Sequence, residues 1–392
     1  MTARALAPGV RREELRLPPP PSVRTGVPVF LGPTRAGAAG GVLALDQPTD
    51  LRAQAGEPLP GTHLAAAVEA FFANGGQRCF VVSLDDGPAE DLRLAELERG
   101  LAAVEALDEA DLVLSPDVVR RRELPGLPLS ETSEAGPMAL QQAALVAHCD
   151  RVGGRVALLD GFPRATVRQA LDQRGAVLQA AGSTGENAAL YHPWVVTTDG
   201  PMPSTGHVAG VVARTDAATG VHKAPANEAL NGVVDLEAAI GAAEQEQLNP
   251  AGVNCLRAFP GRGIRVWGAR TLAAPPWEFL NVRRLVLTIG RHVQAALADV
   301  AFEPHDPVLW ARIRREVGAH LEGLFLDGAL LGATPADAYF VRCDEETNPP
   351  DARDRGTVTV EVGLAAAAPN ELVVVWIIHH PGGVQVTAPA PA

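Results

Sequence analysis

FPGRGIRVWGARTL (Phe259 to Leu272), followed by NVRRL (Asn281 to Leu285) and FEP (Phe302 to Pro304), is the stretch that decides how this chain reads. Gly261 and Gly263 flank Arg262, and Trp267, Gly268 and Arg270 follow within a few residues. Dense as it is in Gly, Arg and Trp, the stretch matches no nucleotide, metal or nucleophile motif. Rigid Arg and Trp anchors on a glycine-shaped loop suit recognition of another protein surface better than covalent chemistry.

Composition narrows the field around that stretch. The 392 residues are 47% hydrophobic, enough for two domains with a substantial core. A formal charge of -13 argues against a sequence-independent nucleic-acid binder, which displaces counterions with a basic surface, and against docking on anionic lipid. Lys223 is the only lysine. Cys79, Cys149, Cys255 and Cys343 are far apart and form no CxxC pair, so free thiols in a reducing compartment are expected rather than a zinc site or disulfide framework. With no apolar h-region at the first residues, synthesis and folding in the cytoplasm are expected, with exit by lysis or within a particle. The longest apolar run, Leu372 to Ile378, is too short to span a bilayer.

Along the chain, residues 1–24 end in Pro18 to Pro21, a stiff extended spacer. The alternation Glu14-Leu15-Arg16-Leu17 before it can supply one strand but no core. VPVFLG (Val27 to Gly32) reads as a buried strand. Leu64, Val68, Phe71 and Phe72 mark a helix stopped by Asn74-Gly75-Gly76, and CFVVSL (Cys79 to Leu84) marks the next strand. Helices at Leu94–Val104 and Met138–Cys149 alternate with strands at Leu112–Leu114 and Val156–Leu159, which argues for an α/β layer with parallel strands. Tyr191 to Trp194 opens a section read as loop-rich, containing VAGVVARTD (Val208 to Asp216) and GVHKAPAN (Gly220 to Asn227). Two amphipathic helices follow, carrying Val282, Leu285, Val286, Ile289, Val293 and Leu297, then Trp310, Ile313, Val317, Leu321 and Leu324. Arg314 lies close to the second stripe and so calls for a salt bridge or an interface. TVTVEVGL (Thr357 to Leu364) and ELVVVWII (Glu371 to Ile378) are the last strands expected.

Carboxylates at strand ends make the best catalytic case. Asp85 and Asp86 follow CFVVSL, Asp117 follows LVLSP and Asp160 follows VALL. At the carboxyl edge of a parallel sheet, Asp85, Asp117 and Asp160 could together hold Mg²⁺ and a phosphate. Asp at such places more often caps the next helix or closes a turn. His379-His380 cannot easily chelate one ion, because adjacent strand residues point to opposite faces. Trp310 falls in a helix stripe and reads as core; Trp267 reads as an anchor.

GRGIRVWGARTL, NVRRL, FEPHDPVLW (Phe302 to Trp310), GALLG (Gly328 to Gly332) and CDEETNP (Cys343 to Pro349), in that order, resemble contractile tail sheath proteins of myophage-type tails and bacterial contractile injection systems. The family-motif residues are Gly261, Gly263, Trp267, Gly268, Arg270, Arg283 and Arg284. Pro8-Gly9-Val10 with Glu13 resembles the family's opening, and FFANGGQRCFVV (Phe71 to Val82), VAGVVARTD and VHKAPAN also match. The resemblance implies a subtilisin-like α/β domain plus an α+β C-terminal sheath domain, with extended terminal arms. The implied boundaries are residues 1–24 for the N-terminal arm, 25–250 for the α/β domain, 251–370 for the C-terminal domain and 371–392 for a C-terminal arm. Pro8, Gly9, Val10, Leu15, Leu17, Val373, Val375 and Ile377 are then expected to pair with neighbouring subunits as exchanged strands. Arg284, Arg291, Arg312 and Arg315, read as surface arginines, are the expected contacts to an inner tube. The implied partners are further copies of the chain, the tube, and baseplate and cap proteins, with no cofactor or metal. A subtilisin-like fold raises a serine protease, yet the serines of GSTG (Gly182 to Gly185) and PSTG (Pro203 to Gly206) lack a nucleophile's context, and His63 and His207 lack a supporting motif. Two classes therefore stand at this point: a structural sheath subunit, and a Mg²⁺-dependent α/β hydrolase.

Overall fold

Short apolar strands buried on both faces alternate with helices, and this sets the architecture. The computed structural model describes residues 23–36, 40–84, 94–120, 135–297, 303–366, 373–380 and 383–387. The chain runs through β1 (Pro28–Pro33), β2 (Val42–Leu45), α1 (Asp50–Ala55), α2 (Leu64–Ala73), β3 (Cys79–Leu84), α3 (Leu94–Val104), β4 (Leu112–Leu114), α4 (Ala135–Val152), β5 (Val156–Asp160), α5 (Val167–Ala181) and β6 (Ala188–His192). It continues with β7 (Val195–Thr197), β8 (Gly200–Met202), α6 (Thr205–Ala218), β9 (Glu228–Ala229), β10 (Asp235–Leu236), α7 (Ala242–Leu248), β11 (Val253–Phe259) and β12 (Gly263–Val266). The last part comprises α8 (Leu280–Ala296), α9 (Pro307–Leu326), α10 (Pro335–Ala338), β13 (Tyr339–Arg342), α11 (Pro350–Asp354), β14 (Val358–Leu364), β15 (Val373–His380) and β16 (Gly383–Thr387).

The large sheet has the order β2-β3-β1-β4-β5-β6-β11-β12-β9. From β3 to β11 its neighbours are parallel; β2 at one end and β12 and β9 at the other are antiparallel. Alternate residues feed opposite cores. Val29, Leu31 and Val82 meet Leu97, Leu101, Leu145, Val146 and Val177 of α3, α4 and α5, whereas Phe30 and Val81 meet Val68, Phe71, Val208 and Val212 of α2 and α6. The mixed α/β class expected from the sequence is therefore present.

A third core sits between α8, α9 and the antiparallel sheet β13-β14-β15-β16. Val282, Leu285, Val286, Ile289 and Val293 face Trp310, Ile313, Val317 and Leu321, closed by Val360, Val362 and Ile377. Trp310 is core, as its stripe position indicates.

Three expectations need correction. VAGVVARTD is not part of a loop-rich section but forms α6, which packs against α2. Gly206 and Gly210 allow that approach: a Cβ at either would lie 2.4 Å from a carbonyl oxygen of α2, that of Ala67 or of Phe71. Next, β11 and β12, placed by the 250/251 boundary in the second unit, belong to the large sheet, since Val253, Asn254 and Cys255 pair with Leu190, Tyr191 and His192. The separate third core starts near Trp277. Lastly, residues 373–380 are no free arm. They pair along their length with β14, from Leu364 opposite Val373 to Val358 opposite His379, and β16 adds to their other edge. A run as apolar as VVVWII suits a central strand, and the chain's own β14 satisfies its backbone. The expected arm residues Pro8, Gly9, Val10, Leu15 and Leu17, together with Asp85 and Asp86, lie outside the described residues.

Candidate functional site

NVRRL lies in α8, and its two arginines work inside the molecule. Arg284 is 2% exposed and makes a bidentate contact with Asp216, at 2.9 and 2.6 Å, and a 2.8 Å bond to Asp111. Asp111 also accepts from the backbone N–H groups of Gly26 and Val27 at 3.0 and 2.7 Å, where the chain enters β1. Burial alone would depress the basicity of Arg284, but the two carboxylates outweigh it and hold the guanidinium charged. Arg283 donates to Asn187 and Glu186 at 2.8 and 2.7 Å and stacks over Trp277, 4.7 Å from the ring centre. Burial lowers its basicity, with Glu186 and Asp150 opposing. The motif is thus a lock between the two packed units. Arg284, expected at the surface facing a tube, is withdrawn from that role.

The other expected tube contacts differ in availability. Arg291 donates to the carbonyls of Arg24, Asp108 and Glu109 and is half-buried. Arg312 is held by Glu303 and Glu316. Arg315 is exposed on α9. Arg314 donates to the carbonyl of Cys343, so the demand for a partner near the stripe is met inside the chain.

The deciding stretch is a hairpin of β11 and β12. Gly261 and Gly263 both have φ of 72°, which a side chain rarely adopts, and nothing lies within 4 Å of where a Cβ would stand. The turn therefore projects into open space. Phe259 packs on Trp267 with ring centres 4.5 Å apart, and Arg257 and Arg262 lie over the Phe259 ring at 5.3 and 5.4 Å. Arg262 donates to the Asn227 side chain at 2.7 Å, and Arg265 donates to the Asn227 carbonyl. Gly268 lies against Asn254, which donates to the carbonyls of Leu190 and Arg270 and accepts from the Arg270 N–H. Arg270 pairs with Glu278 and covers the Phe279 ring. Beside the hairpin, Lys223, Asn227, Gln245, Trp267, Arg270 and Asn281 help line an open groove of about 480 Å³.

Of the strand-end carboxylates, Asp117 and Asp160 serve helix starts. Asp117 accepts from the N–H groups of His63 and Leu64 at 2.7 and 3.1 Å, at the start of α2. Asp160 accepts from the Ser204 and Thr205 N–H groups at 2.6 and 2.9 Å and from both hydroxyls, at the start of α6. Burial pushes the Asp160 carboxyl up to about 6, and those hydrogen bonds pull the other way. Each acid satisfies orphan donors at a helix end, the use that Asp most often has there. Ser204 of PSTG gives its hydroxyl to Asp160, and among the described residues no hydrogen bond joins a serine to His63 or His207. No group of three potential metal ligands occurs among the described residues, and none of their helices is long and apolar enough to cross a membrane.

Sequence reasoning missed the partners of its own motifs. Asp216 ends VAGVVARTD and Asn227 ends VHKAPAN, so both were marked as motif positions without a role. Asp111 and Asn254 carried no signal at all, because only the fold brings them to α8 and to the hairpin.

The described residues thus build a nine-stranded mixed sheet, a two-helix unit locked to it by buried arginines, and a projecting arginine-bearing hairpin. The model of the phage tail sheath protein central domain matches residues 131–272. The tail sheath protein of Burkholderia phage BcepMu is 27% identical over 235 residues, 56% of this chain, and the match spans about half of that relative, 48% of its length. Among solved structures, a chain of the anti-feeding prophage baseplate is 28% identical with a TM-score of 0.73, covering 94% of this chain and 97% of that one. A chain of the PVC extracellular contractile injection system sheath in its contracted state is 27% identical with a TM-score of 0.72, covering 94% and 96%. Over nearly its whole length the chain is thus similar to sheath-family chains of contractile injection systems, and over its central part to phage tail sheath proteins.

Proposed function

We propose that this chain is the repeating subunit of a contractile sheath, of a phage tail or an injection system, that polymerises helically around an inner tube and shortens to drive the tube through a target envelope. The observation that carries the reading is the near-complete structural correspondence, at 28% and 27% identity, with chains of two contractile injection systems. The subunit divides into an arm of residues 1–24, an α/β body that extends through β12 and is subtilisin-like in its order of elements, and a C-terminal unit built on α8, α9 and the four-stranded sheet. Its partners are further copies, the inner tube, and baseplate and cap proteins. It folds in the cytoplasm and leaves as part of a phage tail-like or extracellular particle. The tube contact falls to α9, where Arg315 is exposed and Arg312 is held by exchangeable ion pairs. The N-terminal arm, with Pro8, Gly9, Val10, Leu15 and Leu17, supplies the strand that links neighbours. Val373, Val375 and Ile377 lie in β15, inside the four-stranded sheet whose outer edge receives it.

Heterologous contacts that do not close give filaments rather than discrete oligomers. Negative-stain microscopy of the purified full chain is therefore expected to show tubes or stacked rings. A monodisperse monomer or dimer at high concentration, together with no tubes on co-expression of a tube protein, refutes the assignment.

A further inference from the structure

Arg257, Arg262 and Arg265 cluster at the β11–β12 hairpin, and none has a carboxylate partner among the described residues. Their bonds go instead to the carbonyl of Ile240, the side chain of Asn227 and the carbonyl of Asn227. Arg214 and Arg270, by contrast, are both paired, with Glu228 and Glu278. In a chain with 46 acidic residues against 33 Lys and Arg, three arginines without a carboxylate partner on one hairpin, Arg257 and Arg265 on its strands and Arg262 on its turn, are a local inversion of charge. The Phe259–Trp267 pair beside them offers an aromatic platform. In the adjoining groove, Gln245 Oε1 is buried and lacks a hydrogen-bond donor. An isolated subunit leaves both the charge and this acceptor unsatisfied.

The complementary feature is on the other unit of the same chain. The turn between β13 and α11 carries Asp344, Glu345 and Glu346, and Asp351 and Asp354 follow in α11. Asp344 is spent on its own turn, accepting from the N–H groups of Glu346 and Thr347. Glu345 and Glu346 are paired only at the surface. Their side chains are each 80% exposed, and Glu345 has only a loose 3.7 Å contact with Arg353, while Glu346 reaches Arg342 from the surface. We propose that the arginine hairpin Arg257–Arg265 of one copy docks on the acidic Glu345–Glu346 turn of the next copy. The two surfaces differ, so the contact is heterologous and propagates without closing. This rests on the sheath reading, and it adds a side-chain interface to the strand linkage proposed above.

Full-length chains test it by charge exchange, read as the critical concentration for polymer formation by sedimentation and negative stain. Arg257→Glu/Arg262→Glu is expected to raise it about tenfold or more, as is Glu345→Arg/Glu346→Arg, and the four changes together are expected to restore it toward the wild-type value. Arg257→Gln/Arg262→Gln serves if the reversal disturbs folding, with an intermediate increase expected; melting of each variant monomer shows whether it does. Normal polymers from either reversed pair overturn the proposal. So does a block by both pairs with no recovery when they are combined in a folded chain. Sheath-only polymers that form normally but fail to coat a tube would assign the hairpin to the tube instead, and would equally overturn it. If the wild-type chain itself never polymerises, the sheath reading fails first, which separates the two failures.

Discussion

Arg284 shows how a helical pattern can be read correctly and still mislead about one residue. Val282, Leu285, Val286, Ile289 and Val293 form the stripe that faces the third core, as their spacing indicates. Arg284 projects from the opposite side of that helix, which ordinarily means solvent. Here the opposite side is also covered, because Leu280 and Leu287 pack into the core of the large sheet. A single stripe reveals one buried face; the second depends on Asp111 and Asp216, distant in sequence and brought together by the wound sheet. Removing the cation strands two buried carboxylates, so Arg284→Met is expected to cost about 3–5 kcal/mol and to lower the denaturant midpoint accordingly. A loss under about 1 kcal/mol in urea melts would mean that the pair is not the lock described above. The hairpin motif was more legible. Glycines flanking an arginine indicate a turn, and the two φ values of 72° are its cause.

At the scale of elements, strand identity was readable and strand destination was not. ELVVVWII has the apolar density of a strand, but the same density fits an exchanged arm or an internal partner of β14. What decides is the connection: the pairing of Val358 to Leu364 with His379 to Val373 keeps the strand on its own sheet and buries Ile377 fully. The Asp117 and Asp160 caps were equally open, since strand-end acids look alike until the helix starts they serve are placed. The two ends of the chain should therefore respond differently to truncation. Deleting residues 1–20, which precede every described element, is expected to leave a soluble monomer with near wild-type melting and no polymers. Deleting everything after Asn370 is expected to strip β15 and β16 from the sheet, expose the β14 edge and the third core, and drive aggregation of the monomer. Gel filtration and melting curves separate the cases. Wild-type stability after the C-terminal deletion would contradict the internal sheet, and normal tubes after the N-terminal deletion would contradict the arm.

At the scale of the whole molecule, buried and half-buried histidines are expected to make the subunit sensitive to acid. Burial lowers His63, His148, His192, His207 and His320 to about 4, helped by neighbouring cations at His63 and His148 and by His292 at His320. His292 and His320 stack face to face across α8 and α9 with ring centres 3.6 Å apart, so charging either disrupts the third core. Both nitrogens of His148 and of His192 are buried without a partner, so no acceptor awaits an added proton. In the unfolded chain these side chains titrate near their ordinary 6.5. Between about 6.5 and 4 the unfolded state thus binds more protons than the folded one, and stability falls as pH falls, by up to about 1.4 kcal/mol per pH unit for each such histidine. Asp160 works against this. Its folded value is raised to about 6, so the folded state takes up its proton first and gains stability as pH drops through that value. One carboxyl does not offset five imidazoles, and the net slope is a loss. Thermal melts of the monomer are expected to shift down steadily from pH 7 to 4.5, with the large-sheet unit, which holds four of the five, affected as well as the third core. A melting temperature that stays flat or rises over that range would show that these histidines are solvated or partnered in solution, contrary to the packing described here.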